Sequence, residues 1–282
     1  MTAKIPAFQD IGKSARELLY GSKDGVFQFN KTVTITSRTA DGVEFAVVTT
    51  QKEDRLENSL KANYKTKTYG LVGSFNSAGK ITASASLYDL APGLTAVVSG
   101  TIPEQSSGTL SLDYSIPHLT LKSVVGLTNT PKIDVSASSG RASGLNNTVV
   151  GGEVAYDTEK SAITKWSVGV GYNAPDYQAG ISLVDMGETL KLSYAHNIDA
   201  RSTAGAEVQR KLTKDMTSFT LGYARRLDGG AITKYRLDNT GVASALYETN
   251  LETKTKVALS AAFNALNLQQ PPKVGVALNM TN

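Results

Sequence analysis

From residue 26 to the end of the sequence, hydrophobic residues recur at every second position. The pattern is clear in Phe27-Phe29, Val33-Ile35, Val43-Phe45-Val47, Ile81-Ala83-Ala85-Leu87, Leu110-Leu112-Tyr114-Ile116, Trp166-Val168-Val170-Tyr172 and Val274-Val276-Leu278-Met280. Because successive side chains of a strand point to opposite faces, this period predicts β-strands that are apolar on one face only. The sequence therefore predicts an all-β chain.

Turn-forming sequences separate these segments, among them Asp41-Gly42, Ser106-Ser107-Gly108 and Asp228-Gly229-Gly230. One strand and one turn recur about every 13 residues, and strands of about ten residues can cross a bilayer when tilted. No linker-like stretch interrupts the pattern. We therefore expect a single domain over residues 1–282, with a barrel at about 26–280.

A helical period precedes the strands, at about residues 6–20. Phe8, Ile11, Ala15 and Leu18 follow the spacing of an apolar stripe, and polar side chains occupy the other face. This spacing predicts an amphipathic helix, which could pack on any apolar surface.

A transmembrane barrel and a soluble β-sandwich share the same alternation. The apolar positions here hold many small residues and few bulky ones, which suits a wall in contact with lipid better than a sandwich core. Tyrosine and tryptophan recur near strand ends, which is typical of a girdle at a membrane interface. No run of 18 apolar residues predicts a transmembrane helix. These features favour the barrel, with the sandwich as the alternative.

If the apolar face points to lipid, the opposite face lines the lumen. Parity then places basic side chains inside, namely Lys61, Lys65, Lys122, Lys132, Lys165, Lys191, Lys234, Arg236, Lys256 and Lys273. Fewer acidic residues share that face: Glu44, Asp113, Glu153, Glu207 and Asp238. Such a lumen should favour anions. Lys31 is an exception on the apolar face; either it lies near a strand end or the register slips there.

The sequence lacks the residues of an active site. It has no Cys and only two histidines, His118 and His196, and no glycine-rich phosphate loop. We therefore expect no enzyme, no metal and no cofactor. The net charge of +4 is too small and too dispersed for a nucleic-acid ligand. The amino terminus has neither secretory-signal nor transit-peptide character, so targeting information is expected within the chain.

Two terminal segments resemble one known family. AFQDIGKSARELLY is similar to the amino-terminal helix of voltage-dependent anion channels, the eukaryotic porins of the mitochondrial outer membrane. KVGVALNM resembles their carboxy-terminal sorting signal, with Lys273, Gly275, Leu278 and Met280 at the matching places. The stretches TKTYGLVGSF, APGLTAVVSGTIPEQSSG and YRLDNTGVASALY also resemble family segments, the second particularly those of plant and algal members.

This resemblance implies a barrel of 19 strands, the number known for the mitochondrial channel. An odd count implies that the first strand, near 26–36, pairs in parallel with the last, which ends at Met280. The helix is implied to lie in the pore, with Ile11 as its apolar anchor and Lys13 and Arg16 in contact with anions. Nucleotide contacts are implied for Val242, Ala243, Ser244, Ser260 and Asn264. Many animal members carry a lipid-facing glutamate where this chain has Phe75.

The function implied by the resemblance is a voltage-gated, weakly anion-selective channel in the mitochondrial outer membrane. It would pass ATP, ADP, phosphate and small metabolites by passive diffusion. The expected partners are membrane lipids and these permeants, with homo-oligomers and docking proteins as further candidates. The alternative is a barrel that acts mainly as a protein-import pore or docking platform.

Overall fold

The computed structural model describes residues 5–21, 26–52, 55–104, 106–140 and 147–282, and its main feature is a single sheet of 19 strands. The strands are β1 Lys31–Arg38, β2 Val43–Lys52, β3 Arg55–Lys65, β4 Tyr69–Asn76, β5 Ile81–Ala91, β6 Leu94–Ile102, β7 Thr109–Ile116, β8 Leu119–Gly126, β9 Lys132–Gly140, β10 Thr148–Asp157, β11 Ala162–Asn173, β12 Tyr177–Val184, β13 Thr189–Asn197, β14 Ser202–Lys211, β15 Met216–Arg226, β16 Ile232–Asp238, β17 Val242–Glu252, β18 Thr255–Asn264 and β19 Lys273–Thr281. A 3₁₀ turn, Asp185–Gly187, lies between β12 and β13.

Every strand pairs with its neighbours in sequence, antiparallel, and the sheet closes on itself through β1 and β19. These two strands run parallel, with Lys31 opposite Val276 and Thr36 opposite Thr281. An odd number of strands in meander order requires one such parallel pair. The predicted 19-stranded barrel is confirmed, and the sandwich alternative is wrong because one sheet closes instead of two sheets packing face to face.

The first strand begins later than the period of two predicts. Residues 26–30 have the alternating pattern but do not join the sheet as a strand. The Phe27 side chain packs inside the barrel against Leu246, Ala258 and Ala277, and the Gln28 amide donates to Ser260 Oγ at 3.2 Å. This segment therefore crosses the inner face of β17–β19 before β1 starts at Lys31.

The predicted amphipathic helix is shorter than the apolar spacing indicates. A 3₁₀ turn, Phe8–Asp10, precedes helix α1, Lys13–Tyr20. Gly12 separates them with φ of 68°, a left-handed value that glycine adopts readily. The prediction of an amphipathic amino-terminal segment holds, but the segment is two short helical pieces with a bend.

The barrel buries its apolar helix inside and exposes its large apolar side chains outside. Leu19, Ala15 and Leu18 are nearly inaccessible, whereas outward residues such as Phe45, Ile181 and Phe263 are each at least 40% exposed. Such a distribution suits an outer wall in contact with lipid, as the sequence predicts. No helix among the described residues is long and apolar enough to cross a membrane.

Candidate functional site

The inner face of the barrel is identified by the residues that touch the amino-terminal segment. Thr120 Oγ1 donates to the Ile5 carbonyl at 2.8 Å, and Ser138 Oγ donates to the Pro6 carbonyl at 2.7 Å. Since neighbouring strands keep paired residues on the same face, the register extends this inner face around the whole barrel.

The register places the predicted basic residues on this inner face. Lys61 follows Leu60, which pairs with outward Val47, and Lys122 pairs with Asp113. The same reasoning puts the other predicted residues inward: Lys65, Lys132, Lys165, Lys191, Lys234, Arg236, Lys256 and Lys273, with Glu44, Glu153, Glu207 and Asp238. The inner face therefore carries charged side chains of both signs, and the predicted basic residues outnumber the predicted acidic ones.

Several of these lysines are neutralised by acidic neighbours. The ammonium nitrogen of Lys165 lies 2.6 Å from Glu153 Oε1, and that of Lys191 lies 2.9 Å from Glu207 Oε2. Two longer pairs follow the same pattern: Lys132 with Asp157 at 3.7 Å, and Lys256 with Glu248 at 3.6 Å. A paired lysine attracts a passing anion less than a lysine without a counter-charge.

A second group of inward lysines forms no ion pair among the described residues, although Asp113 lies opposite Lys122 in the register. Lys61, Lys65, Lys122 and Lys273 form no ion pair with any residue that the structure describes. The Lys65 ammonium lies 5.3 Å from the centre of the Tyr88 ring. Lys234, by contrast, is 4% exposed and lies beneath α1 beside Leu18. The positive charge accessible to the lumen therefore comes mainly from Lys61, Lys65, Lys122 and Lys273.

The amino-terminal helix adds charge to the same space. Lys13 is half exposed and pairs with Asp10 at 3.1 Å, and the Arg16 guanidinium donates to the Gln9 carbonyl. Lys13, Asp10 and Glu17 line a cavity of about 800 Å³ between the helix and β7, β8, β12 and β13, into which Lys122 also opens. The predicted basic residues Lys13 and Lys122 are thus neighbours across one cavity.

Small residues on the inner wall create the space that the helix occupies. We call Gly151, Gly171, Gly180, Gly205 and Gly222 the glycine track; they lie on β10, β11, β12, β14 and β15. A Cβ atom at Gly180 would lie 3.0 Å from Ile11 Cγ2, and one at Gly222 would lie 2.6 Å from Leu19 Cδ2. Ile11 therefore packs against the wall where the resemblance implies an anchor.

The glycine track was not among the predicted site residues, although the sequence contains a signal for it. Five glycines fall at inward positions of strands that are close in sequence, where a polar lumen would otherwise carry polar side chains. Glycine in a strand marks a site where another backbone or ligand approaches closely. The strand positions of these glycines could therefore have placed the helix against the wall between β10 and β15.

The end of α1 contacts two inward charged residues. The Tyr20 hydroxyl donates to Glu207 Oε1 at 3.0 Å, and the Arg236 guanidinium lies 5.9 Å from the Tyr20 ring centre. Partial burial, together with the neighbouring Glu207 carboxylate, raises the pKa of the Tyr20 phenol above its ordinary value.

The residues with implied nucleotide contacts divide between the two faces. Val242 pairs with Asn264 on the inner face, and Ser244 and Ser260 share that face. Ala243 pairs with Phe263, which is outward and exposed, so the register removes Ala243 from the lumen. A cavity of about 220 Å³ brings Val242 and Asn264 together with Phe29, Arg236 and Lys273.

The residues of the implied sorting signal are part of the barrel closure. Leu278 pairs with Val33 and Met280 with Ile35, all outward, at the parallel β1–β19 contact. Gly275 is inward, and a Cβ atom there would collide with the Gln28 carbonyl and Phe29 Cα.

Two further residues named in the sequence analysis lie on the outward face. Lys31 is exposed at the first position of β1. Phe75, where many animal members carry a glutamate, lies between Leu60 and Ile81.

Neither histidine is placed for catalysis. His118 follows Pro117 in the β7–β8 turn, and His196 stacks on Tyr194 at 6.3 Å on the outward face. Within the described ranges, no three His, Asp or Glu side chains are grouped so that they could hold a metal ion. Tyr172 and Tyr177 extend the aromatic cluster around His196 near one rim, as expected for an interfacial girdle.

Comparison with known proteins agrees with this geometry. Residues 4–275 match the family model described as eukaryotic porin. The chain is 34% identical to mitochondrial outer membrane protein porin 4 of Arabidopsis thaliana, over 96% of each chain. It is 30% identical to mitochondrial outer membrane protein porin 6 of Oryza sativa over 98% of each, and 27% identical to an outer plastidial membrane protein porin of Zea mays over 99% of each.

Proposed function

Because the chain belongs to the eukaryotic porin family, we propose that it is a voltage-gated, weakly anion-selective channel for ATP, ADP, phosphate and small metabolites. It is a barrel channel of the mitochondrial outer membrane and a pore protein rather than an enzyme, in keeping with its similarity to the plant mitochondrial porins. Metabolites pass by passive diffusion, so their concentration gradients drive transport.

The observation that supports anion preference is the group of inward lysines that form no ion pair with any described residue. Lys61 and Lys65 are exposed on β3, Lys122 opens into the large cavity beside Lys13, and Lys273 lies at the start of β19. Fixed positive charge on a lumen raises the local concentration of anions and lowers that of cations. The paired lysines Lys165 and Lys191 contribute less, because a carboxylate lies within 3 Å of each.

The test is the reversal potential of the purified protein in planar bilayers under a salt gradient. We expect an anion-preferring potential at low voltage. The variant with Lys61→Glu, Lys65→Glu and Lys122→Glu should shift it toward cations, because lumen substitutions tune selectivity more than stability. Lys31→Glu is the control for orientation, since it makes the charge change of one of these three substitutions on the outward face. Equal potentials in the triple variant and the parent would reject the assignment.

Voltage gating is supported by the way the charged helix is held. Lys13 and Arg16 lie on a segment that touches the wall through side-chain packing and a few hydrogen bonds, and no sheet ladder includes it. Charges on such an element can respond to a transmembrane potential. Conductance recorded at increasing voltage should fall to a substate that admits cations more readily. A conductance independent of voltage would reject gating and leave the pore itself unaffected.

The alternative of a protein-import pore or docking platform predicts a different outcome. Such a barrel would copurify with import subunits and would pass ATP poorly in a liposome flux assay. The lysines accessible in the lumen and the charged helix beside them favour the metabolite channel.

A further inference from the structure

Two inward residues, Glu207 on β14 and Arg236 on β16, contact the last turn of α1. Glu207 is 2% exposed, and its carboxylate accepts hydrogen bonds from the Tyr20 hydroxyl at 3.0 Å and the Gln209 amide at 2.7 Å. Lys191 lies 2.9 Å from its second oxygen. The buried carboxylate therefore has hydrogen bonds at one oxygen and an opposite charge at the other.

The Arg236 guanidinium lies between two aromatic rings. Its central carbon is 5.9 Å from the Tyr20 ring centre and 5.1 Å from the Phe27 ring centre. The same group lies 3.5 Å from the Leu19 carbonyl oxygen and 3.3 Å from Ser244 Oγ. A cation over aromatic rings and beside the last carbonyls of a helix is attracted by both the ring faces and the helix dipole.

These contacts involve both sides of the chain segment that leaves the helix. Tyr20 ends α1, and Phe27 belongs to the segment that crosses the inner face of β17–β19. We name Tyr20, Phe27, Glu207 and Arg236 the helix-end clamp. Its four side chains come from α1, the crossing segment, β14 and β16, so it fixes the helix end to the wall on two sides.

We propose that Arg236 is a positioning residue, which holds the end of α1 and the crossing segment against the wall and is not a contact for permeating anions. The proposal deepens the proposed channel function and depends on it only for the electrical part of the test. Arg236 and Lys61 are both inward and cationic, but the rings cover the Arg236 guanidinium whereas the Lys61 ammonium is exposed and unpaired. Replacing Arg236 should therefore mainly change the position of the helix, whereas replacing Lys61 should mainly change ion selectivity.

The first measurement reports on the helix and needs no channel activity. The natural chain has no Cys, so Leu19→Cys introduces the only thiol at a position that is 0% exposed. A water-soluble thiol reagent should modify it slowly in the parent. Adding Arg236→Gln should raise the modification rate about tenfold, because contacts with two rings and a carbonyl are lost. Adding Lys61→Gln, which removes the same charge elsewhere in the lumen, should leave the rate unchanged.

Conservative variants of Arg236 and Phe27 distinguish the effect of the positive charge from that of its contacts with the aromatic rings. Arg236→Lys keeps the charge but loses the planar group, so the thiol should still become reactive. Phe27→Leu keeps Arg236 and removes one ring, and it also serves if Arg236→Gln does not assemble. Rates equal to the parent in both variants would overturn the proposal. Circular dichroism of each variant checks that the barrel is folded.

The second measurement is the reversal potential of the same variants without the reporter thiol. Lys61→Gln should shift it toward cations, whereas Arg236→Lys should leave it at the parent value and Arg236→Gln should shift it less than Lys61→Gln does. A shift with Arg236→Gln at least as large as with Lys61→Gln would overturn the proposal. A protein that conducts no current would instead reject the channel function, and the thiol rates would still decide on the clamp.

Discussion

At the scale of single residues, the contact between helix and wall depends on the absence of side chains. Gly180 admits Ile11 Cγ2 from one side and Ser193 Oγ from the other, so a methyl group there would meet atoms at 3.0 Å and 2.8 Å. Packed interfaces tolerate extra volume poorly, because the neighbours must shift or adopt strained rotamers. The glycine track therefore determines where along the wall the helix can lie.

Gly180→Val should weaken the docking of the helix by about 1–3 kcal/mol through overpacking. A nitroxide attached at Ser14→Cys, on the exposed side of α1, should become more mobile in its paramagnetic resonance spectrum. Gly73→Val is the matched control, since nothing lies within 4 Å of a Cβ atom there. Unchanged mobility with Gly180→Val would show that the wall at this point yields to the larger side chain.

For single residues, a strict period of two in the sequence is enough to predict which face of the sheet a side chain occupies. Lys61, Lys122 and Lys256 are inward because their neighbours alternate without interruption. Which lysines are paired was not predictable, because a pairing such as Lys165 with Glu153 depends on strands being adjacent in a particular register. The contacts of Arg236 with Tyr20 and Phe27 required knowledge of the path of the chain inside the barrel.

At the scale of elements, the amino-terminal helical segment contacts strands between β8 and β16. Its boundaries were the least predictable part of the fold. Apolar spacing indicates one helix over about 6–20, but spacing does not reveal that Gly12 takes a left-handed conformation next to Ser193. Similarly, residues 26–30 alternate like a strand, but Gln28 and Phe29 lie over Gly275, and the segment meets β19 where the Asn30 carbonyl accepts from the Val276 amide at 3.1 Å.

An engineered disulfide should fix the helix to the wall. Ile11 Cβ lies 3.7 Å from the position of a Cβ atom on Gly171, within the range that a disulfide needs. Ile11→Cys with Gly171→Cys should cross-link under mild oxidation, seen as a mobility shift in non-reducing gels that a reductant reverses. Ile11→Cys with Gly169→Cys is the control, because the nearest atoms to Gly169 belong to β12. Cross-linking of both pairs at similar rates would contradict the docked position of Ile11.

At the scale of the whole molecule, the two faces of the sheet have exchanged the roles they have in a water-soluble protein. Large apolar side chains are on the outside, and the polar face is inside, together with the short amphipathic helix. The alternation in the sequence predicts this arrangement for nearly every strand, because each strand contacts lipid on one face and water on the other. The number of strands came from the family resemblance and not from the period.

A charged side chain on the outer wall should therefore destabilise the barrel far more than the same side chain on the inner face. Val98 lies at the middle of β6 and is outward and exposed, whereas its neighbour Ser99 is inward beside Thr109. Val98→Arg should lower the free energy of unfolding in lipid vesicles by about 2–4 kcal/mol, and Ser99→Arg should have a small effect. Denaturant titration followed by tryptophan fluorescence measures both; comparable losses would contradict the assignment of faces.

The parallel contact between β1 and β19 has a consequence for the order of events during biogenesis. Lys31 pairs with Val276, so the contact that completes the cylinder joins the first and the last strand of the sheet. Until β19 is in place, β1 has a free edge of unpaired amides and carbonyls on which another polypeptide could assemble. The unclosed sheet must therefore be kept apart from other chains, and closure of the barrel ends that exposure.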